Sequence, residues 1–443
     1  MPEGTGRGLI PLRGPFLISI EQHSQDSATA GRALFYGWVI VAACMLIMAM
    51  HTGLMYTYGV FFKHLTADFG WSRGATSGVH SVFMVTHGLF AIVMGWLVDR
   101  FGPAKVMAAS AFFGGLGLVL TSQINALWQL YITYGVIFGI GAGGGFITTM
   151  ATTARWFIKR RGLALGIVAS GAGLGTLLLA PVSERLIAAF GWSIAYMVLG
   201  AAAWVIMIPC ALMLRRDPAE KGLRPYGSEE VRISMNGMEQ LKAKTTEAGI
   251  NLRTAARYKP LWMLFIIFFL FNFCLQMVMV HLVNYATDIG IASLYAATFI
   301  SIIGIGSFIG RISMGGASDR IGANTALAIC CAIMMTTLTF LIFAREPWMF
   351  YLFALVFGFA YGGEVPQMPV LVEQFFGMRA VAAIVGVTVL GATIGGAFGS
   401  WTGGQIFDVT QSYQLAFIVA AAIAFTATVL TLMLRKVRAV IQR

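Results

Sequence analysis

Charge is what this sequence has least of. Of its 443 residues only 11% are Asp, Glu, Lys or Arg, where a soluble globular domain carries about 25%. A chain this poor in charge cannot cover a water-facing surface of ordinary polarity, and the solvent that tolerates it is a lipid bilayer. Cysteine is scarce as well. Cys44, Cys210, Cys274, Cys330 and Cys331 all lie inside apolar runs, so they read as small core residues without disulfides. Neither CxxC nor HxxxH spacing occurs, which removes the usual zinc signatures. His80 and His87, seven residues apart on one helix face, do not make a metal site by themselves. No phosphate-binding GxxxxGK[ST] loop is present, so ATP does not drive this protein directly. No metal and no cofactor are expected. Residues 1–34 are polar and Gly-rich; they lack the apolar core and cleavage site of a signal peptide and are expected to form a disordered cytoplasmic tail.

Apolar side chains, at 58%, and 52 glycines are what the chain has instead. Small residues let helices approach closely in a membrane, where burial of apolar surface does not drive them together. The net charge of +12 invites a nucleic-acid reading. Cytoplasmic loops of membrane proteins collect Lys and Arg, and that accounts for the excess without nucleic acid.

A spanning helix needs about 20 mostly apolar residues. Twelve such stretches are expected near 37–62, 75–98, 104–123, 128–151, 163–188, 193–214, 261–286, 294–317, 323–343, 348–372, 381–404 and 414–434. The fourth and tenth are Gly-rich and carry polar residues. The Phe-rich run from Phe265 to Phe273 reads as lipid-facing surface, and Glu184-Arg185 as an outer-surface pair. An even count puts both termini on one side. Arg155, Lys159, Arg160 and Arg161, then Arg215 and Arg216, then Arg435, Lys436 and Arg438 all fall on that side, whereas the other keeps little more than Lys63, Arg73, Arg185 and Arg345. The bias makes the termini cytoplasmic. One polar stretch, 215–259, follows the sixth span and reads as a linker. The expected organisation is a tail (1–34), a six-helix bundle (35–214), the linker (215–259), a second six-helix bundle (260–435) and a short tail (436–443).

The two bundles are related. Gly95-Trp-Leu-Val-Asp99-Arg100-Phe-Gly102 recurs 220 residues later as Gly315-Gly-Ala-Ser-Asp319-Arg320-Ile-Gly322. Phe138-Gly139 with Gly143-Gly144 matches Phe357-Gly358 with Gly362-Gly363, and Trp128 and Tyr131 match Trp348 and Tyr351. Coincidences at one offset argue for duplication, and duplicated halves suit alternating access around a central site. Each repeated loop joins the second and third span of its half. Glycine permits close helix approach there, and the Asp can cap a helix or pair with a neighbouring basic residue. Gly95, Asp99, Arg100, Gly102, Gly315, Asp319, Arg320 and Gly322 are therefore gating candidates.

A repeated G-x-x-x-D-R-x-G in these two loops resembles the major facilitator superfamily, over the whole chain after the tail. A narrower resemblance is carried by Tyr36-Gly37-Trp38, Tyr58-Gly59-Val60-Phe61-Phe62-Lys63, Phe69-Gly70-Trp71-Ser72, the run Arg155-Trp156-Phe157-Ile158-Lys159-Arg160-Arg161-Gly162, and His281-Leu282-Val283 with Tyr285-Ala286, Asp288 to Gly290 and Gly310-Arg311. These look like the monocarboxylate transporter family, in its bacterial form, with part of the pattern shared by oxalate–formate exchangers. The resemblance implies an all-α membrane protein with the major facilitator fold, a multi-pass protein of the cell (inner) membrane.

Arg311 lies within the eighth span. A charge at that depth is costly and marks function, and a guanidinium fork matches a carboxylate. The resemblance places the family's essential arginine here. Other family charges are missing: an aspartate one turn earlier is Ser307, the lysine of span one aligns near Tyr56, and the exchangers' second cation in span eleven is replaced by Leu390-Gly-Ala-Thr-Ile-Gly-Gly396. One buried cation suggests a single carboxylate. Further substrate-binding candidates are His281, Tyr56, Asn284 and Tyr361. Glu364, in Gly362-Gly363-Glu364-Val365-Pro366, is an intramembrane carboxylate: it either carries a proton, pairs with Arg311 or caps a helix broken at Pro366. His281 and His51 are alternative proton carriers, or polar contacts between helices.

The expected function is secondary transport of a small monocarboxylate such as lactate or pyruvate, with proton symport. The alternatives are organic-anion exchange of the oxalate–formate kind and drug or metabolite efflux. Gly171-Ala-Gly-Leu-Gly175 and Leu179-Ala180-Pro181 lack the Gly-Pro ending of antiporters, which argues against efflux. No paired carboxylates or nucleophile–base pattern suggest an enzyme. Partners are a small organic anion, a proton and the bilayer, and the chain is expected to be a monomer.

Overall fold

A computed structural model describes residues 35–158, 160–227, 250–377, 381–435 and 437. The tail 1–34, most of the linker and the last residues lie outside the described set, as do the side chains of the gating candidates Asp99 and Asp319. The described chain is helical; its sole strand-like feature is one bridge between Phe157 and Tyr226.

Eleven helices are long and apolar enough to cross a membrane. One of them, Arg161–Met213, has 53 residues, about 80 Å at the α-helical rise, whereas a hydrocarbon core is about 30 Å thick. It is two crossings joined end to end: Gly191, at φ 81 and ψ 163, breaks it. Twelve crossings result. They are α1 (Tyr36–Phe69), α2 (Arg73–Phe101), α3 (Pro103–Thr121), α4 (Leu127–Trp156), α5 (161–190), α6 (192–213), α7 (Lys259–Asp288), α8 (Ser293–Ile321), α9 (Ala323–Phe343), α10 (Pro347–Phe376), α11 (Val381–Thr410) and α12 (Gln414–Leu434). Their apolar residues run all round the helix, as in membrane spans. The two Gly-rich spans are irregular. Part of α4, Tyr131–Phe138, is wound as π-helix, and α10 is interrupted between Glu364 and Gln367, at Pro366, where the missing N–H and the proline ring stop the ladder.

The helices form two six-helix bundles. In the first, α1 packs on α5 and α3 on α6; in the second, α7 packs on α11 and α9 on α12. The duplication extends to the backbone. Gly70 and Gly290, Gly102 and Gly322, and Gly191 and Gln411 all have positive φ, and each pair is 220 residues apart. Left-handed backbone favours glycine, so the turns were kept where duplication placed them. An aromatic knot of Phe35, Trp38, Phe157 and Tyr226 seals one end of the first bundle.

The bundles meet along two equivalent seams, α2 with α11 and α5 with α8. Ser81 donates to the Ala397 carbonyl at 2.6 Å, and its repeat mate Ser301 donates to the Leu177 carbonyl at 2.7 Å. Gly173 and Gly304 face each other: a Cβ on Gly304 would lie 2.9 Å from the Gly173 carbonyl. At the end away from the basic residues the bundles are tied further, by Lys63 donating to Ser293 Oγ at 2.8 Å and by Arg73 donating to Asp288. Towards the basic end they part. Gly166, Gly316 and Gly386 have nothing beside them, and Gly95 meets only Ile147 of its own bundle.

Two expectations are corrected. Phe268, Phe271 and Phe273 are buried rather than lipid-facing, because α7 is wrapped by α11, α12 and the second half of α1. Glu184 is only 4% exposed and meets His64 Nε2 at 3.1 Å, so it does not form a surface pair with Arg185.

Candidate functional site

Arg311 projects from the middle of α8 into the gap between the bundles. Its Nη1 donates to the Ala169 carbonyl of α5 at 2.8 Å, and Nη2 reaches Tyr361 Oη of α10 at 3.4 Å. The guanidinium carbon lies 5.6 Å from the centre of the Tyr361 ring. Tyr361 Oη in turn meets Tyr56 Oη of α1 at 3.0 Å. One polar chain therefore links α5, α8, α10 and α1 across both bundles. Nε of Arg311 is buried without a partner, and no carboxylate lies within ion-pairing distance of the guanidinium among the described residues. Nε and Nη2 form one edge of the fork. That edge holds nothing firmly, so the cation awaits a counter-ion.

A void of about 200 Å³ opens beside Arg311, lined by Gly173 and Thr176 of α5, Met279 of α7, Ser307 of α8 and Tyr361. It is narrow throughout, so a substrate has to widen it. A larger space of about 330 Å³ lies on the lipid side of the α2–α11 seam. Its one serine, Ser81, is already bonded to Ala397 and Ser400, and it offers an anion nothing.

Of the residues singled out from the sequence, Arg311, Tyr361 and Tyr56 come together. His281 and Asn284 do not join them. His281 Nε2 lies 2.8 Å from the Ser400 carbonyl, so it donates there, and Nδ1 accepts from Tyr413 Oη at 3.1 Å. Both ring nitrogens are occupied in an α7–α11–α12 contact. Asn284 is buried one turn further along, its amide turned back to the Val280 carbonyl at 3.4 Å. His51 lies in the first bundle, against Gly145 and stacked on His87 at 5.8 Å. Glu364 is 3% exposed and has no ion-pair partner; its Oε1 is unbonded. The proposed pair with Arg311 is not formed. At the break beyond it, Gln367 Nε2 bonds the Gly363 and Met314 carbonyls at 3.1 and 3.2 Å. Of the gating candidates with described side chains, Arg100 is exposed and lies 5.4 Å from the Trp96 ring, and Arg320 is exposed.

Sequence reading missed the Ala169 carbonyl, which has no side-chain signature. It also missed the clasp of Arg73 with Asp288 and Asp408. The signal available for that was the helix start itself: Ser72 caps α2 through Ala75 N at 3.2 Å, which fixes Arg73 at the first turn.

A buried, unpaired cation between two pseudo-symmetric six-helix bundles is the architecture of a membrane transporter rather than an enzyme. This chain belongs to the Major Facilitator Superfamily, whose family model matches residues 43–400 and 315–441. Among known proteins, monocarboxylate transporter 13 of Bos taurus is 25% identical over 397 residues, covering 87% of this chain and 86% of that protein. Monocarboxylate transporter 12 of Homo sapiens is 27% identical over 406 residues, covering 87% and 77%. Among solved structures, the nucleoside transporter NupG superposes with a TM-score of 0.70 at 13% identity, over 90% of this chain and all of that one. A bacterial homolog of the human lysosomal transporter Spinster, inward-facing and unoccupied, gives 0.68 at 14% identity, over 91% and 99%.

Proposed function

We propose that this transporter moves small monocarboxylates, of the size of lactate or pyruvate, together with a proton by alternating access. The observation that carries the reading is the open Nε/Nη2 edge of Arg311, a buried cation with no carboxylate in the protein to neutralise it. One cation of this kind fits one carboxylate, and the named relatives are monocarboxylate transporters. Tyr361 and Tyr56 steady the guanidinium from the other side. Charge balance is then supplied by a proton on Glu364, whose Oε1 lacks a partner; His281 suits this less well, since both of its nitrogens are engaged. The Lys/Arg bias makes the basic end cytoplasmic, with both termini inside and the chain in the cell membrane. On that orientation the bundles, 35–214 and 260–435, are parted towards the cytoplasm, and the linker 215–259 joins them there. The two Asp-Arg loops would close that side in the opposite state. The chain works as a monomer.

The test is uptake of radiolabelled L-lactate into proteoliposomes, with and without an inward proton gradient, for wild type and Arg311→Ala. Gradient-driven uptake lost in the variant supports the proposal. Uptake that requires an organic acid on both sides, and ignores the gradient, makes the protein an anion exchanger. Uptake that survives the substitution removes Arg311 as the anion site.

A further inference from the structure

We infer that Ser307 is the specificity-determining residue of this transporter, reading the oxygen on C2 of the substrate, so that 2-hydroxy and 2-oxo acids are preferred over plain carboxylates. The inference rests on the monocarboxylate reading of the same site.

Ser307 is 1% exposed, and its Oγ has no hydrogen-bond partner. Along α8 the other hydroxyls are engaged. Ser293 accepts from Lys63, Thr298 meets Tyr351, Ser301 crosses to Leu177, Ser313 and Ser318 bond back to Ile309 and Gly315. A buried hydroxyl left without a partner gives up about 1–3 kcal/mol, so Ser307 stands out as a donor kept free. Its place explains what it is free for. It precedes Arg311 by four residues and shares a helix face with it, with Cβ atoms about 6 Å apart. Both residues line the void, and the Nε of Arg311 is open there as well. The remaining walls offer little that is polar: Gly173, Met279, Ile303 and Gly304 have no side-chain donor, and the Thr176 hydroxyl is spent on the Ala172 carbonyl at 2.9 Å.

A carboxylate on the Arg311 edge therefore brings its C2 substituent towards a single free hydroxyl. Serine can accept from a 2-hydroxyl and donate to a 2-oxo group, so one side chain serves both classes. A carboxylic acid with only hydrogens on C2 leaves the serine unpaired. Sites built to bond a substrate hydroxyl reject analogues that lack it more strongly than apolar pockets reject a missing methylene. The repeat mate of Ser307 in α2 is His87, 220 residues earlier, and its Nδ1 is also unpartnered. The same level of both bundles thus presents free polar atoms between them.

The experiment is uptake of L-lactate, pyruvate and propionate into proteoliposomes by wild type, Ser307→Ala and Arg311→Ala, with melting temperature in detergent as the folding control. Wild type is expected to favour lactate and pyruvate over propionate by about tenfold. In Ser307→Ala that ratio should fall to near unity, mostly through KM, with propionate uptake and melting temperature unchanged. If all three acids are carried in an Arg311-dependent way and Ser307→Ala keeps the wild-type ratio, or if wild type does not discriminate, the role of Ser307 is overturned while the anion site stands. If wild type carries none of the three, the monocarboxylate reading fails and this inference fails with it.

Discussion

Arg73 of α2 and Asp288 of α7 meet end to end across the two bundles, with Nη1 2.5 Å from Oδ2 and Nη2 2.8 Å from Oδ1. The same arginine lies 3.7 Å from the centre of the Phe407 ring. Its backbone N–H and that of Gly74 donate to the two carboxylate oxygens of Asp408 at 2.8 and 2.7 Å. The first turn of α2 is thus capped by a carboxylate from the other bundle, where the helix dipole favours negative charge. A bidentate pair of this kind is stronger than ordinary surface ion pairs, and separating the bundles at this end requires breaking it.

Asp288→Ala should therefore loosen that end. Spin-label distances between Gln123 and Thr410, one on each bundle at the same end, are expected to shift to longer values, with uptake slowed several-fold. Exchanging the charges as Arg73→Asp with Asp288→Arg should restore only part of the closure, because the Asp408 cap would then face a carboxylate. Unchanged distances in Asp288→Ala would show that the clasp does not hold the seam.

Arg311 has no carboxylate partner, so its removal leaves no orphaned negative charge behind. Most buried ion-pair truncations destabilise by several kcal/mol for that reason. Arg311→Met is expected to melt at the wild-type temperature or above it, while losing lactate uptake by about a hundredfold or more. Arg311→Lys keeps the charge but loses the planar fork, and is expected to recover little activity. A large drop in melting temperature for Arg311→Met would mean that the link to the Ala169 carbonyl is structural.

The Gly173–Gly304 contact sets how closely α5 and α8 approach. In Gly304→Ala the added carbon would meet the Gly173 carbonyl at 2.9 Å and Thr176 Cβ at 3.2 Å. Overpacking of this degree costs about 1–3 kcal/mol. Gly304→Leu should wedge the seam open, lowering the melting temperature and abolishing uptake, with Gly304→Ala intermediate. Thermal unfolding in detergent and lactate uptake together check this order.

Glu364 tests the coupling. Gln is nearly the same shape and cannot release a proton, so Glu364→Gln should exchange lactate across the membrane at near wild-type rate yet lose accumulation driven by a proton gradient. Accumulation at the wild-type level would move the coupled proton elsewhere.

Much of the architecture was legible in the residues because its causes are local. Apolar runs of spanning length, the Lys/Arg bias, and Gly102 and Gly322 with their repeated surroundings are all properties of neighbouring positions. The duplication could be read from matches at one offset, and the positive-φ glycines later fell at that same offset. Arg311 could be picked out because a charge inside an apolar span is rare whatever surrounds it.

Other features depend on packing. Lipid and protein interior are equally apolar, so the sequence could not tell that Phe268 and Phe271 face other helices. Asp288 and Arg73 are 215 positions apart, and neither carries a mark that names the other. The Ala169 carbonyl that holds Arg311 is a backbone atom present at every residue, and a serine is unremarkable until its neighbours fail to bond it. The sequence by itself determined the twelve crossings, the two related bundles and the presence of one buried cation. Only the tertiary structure decided which of its faces is left open and which hydroxyl stands beside it, because hydrogen-bond satisfaction belongs to the assembled helices and not to any one of them.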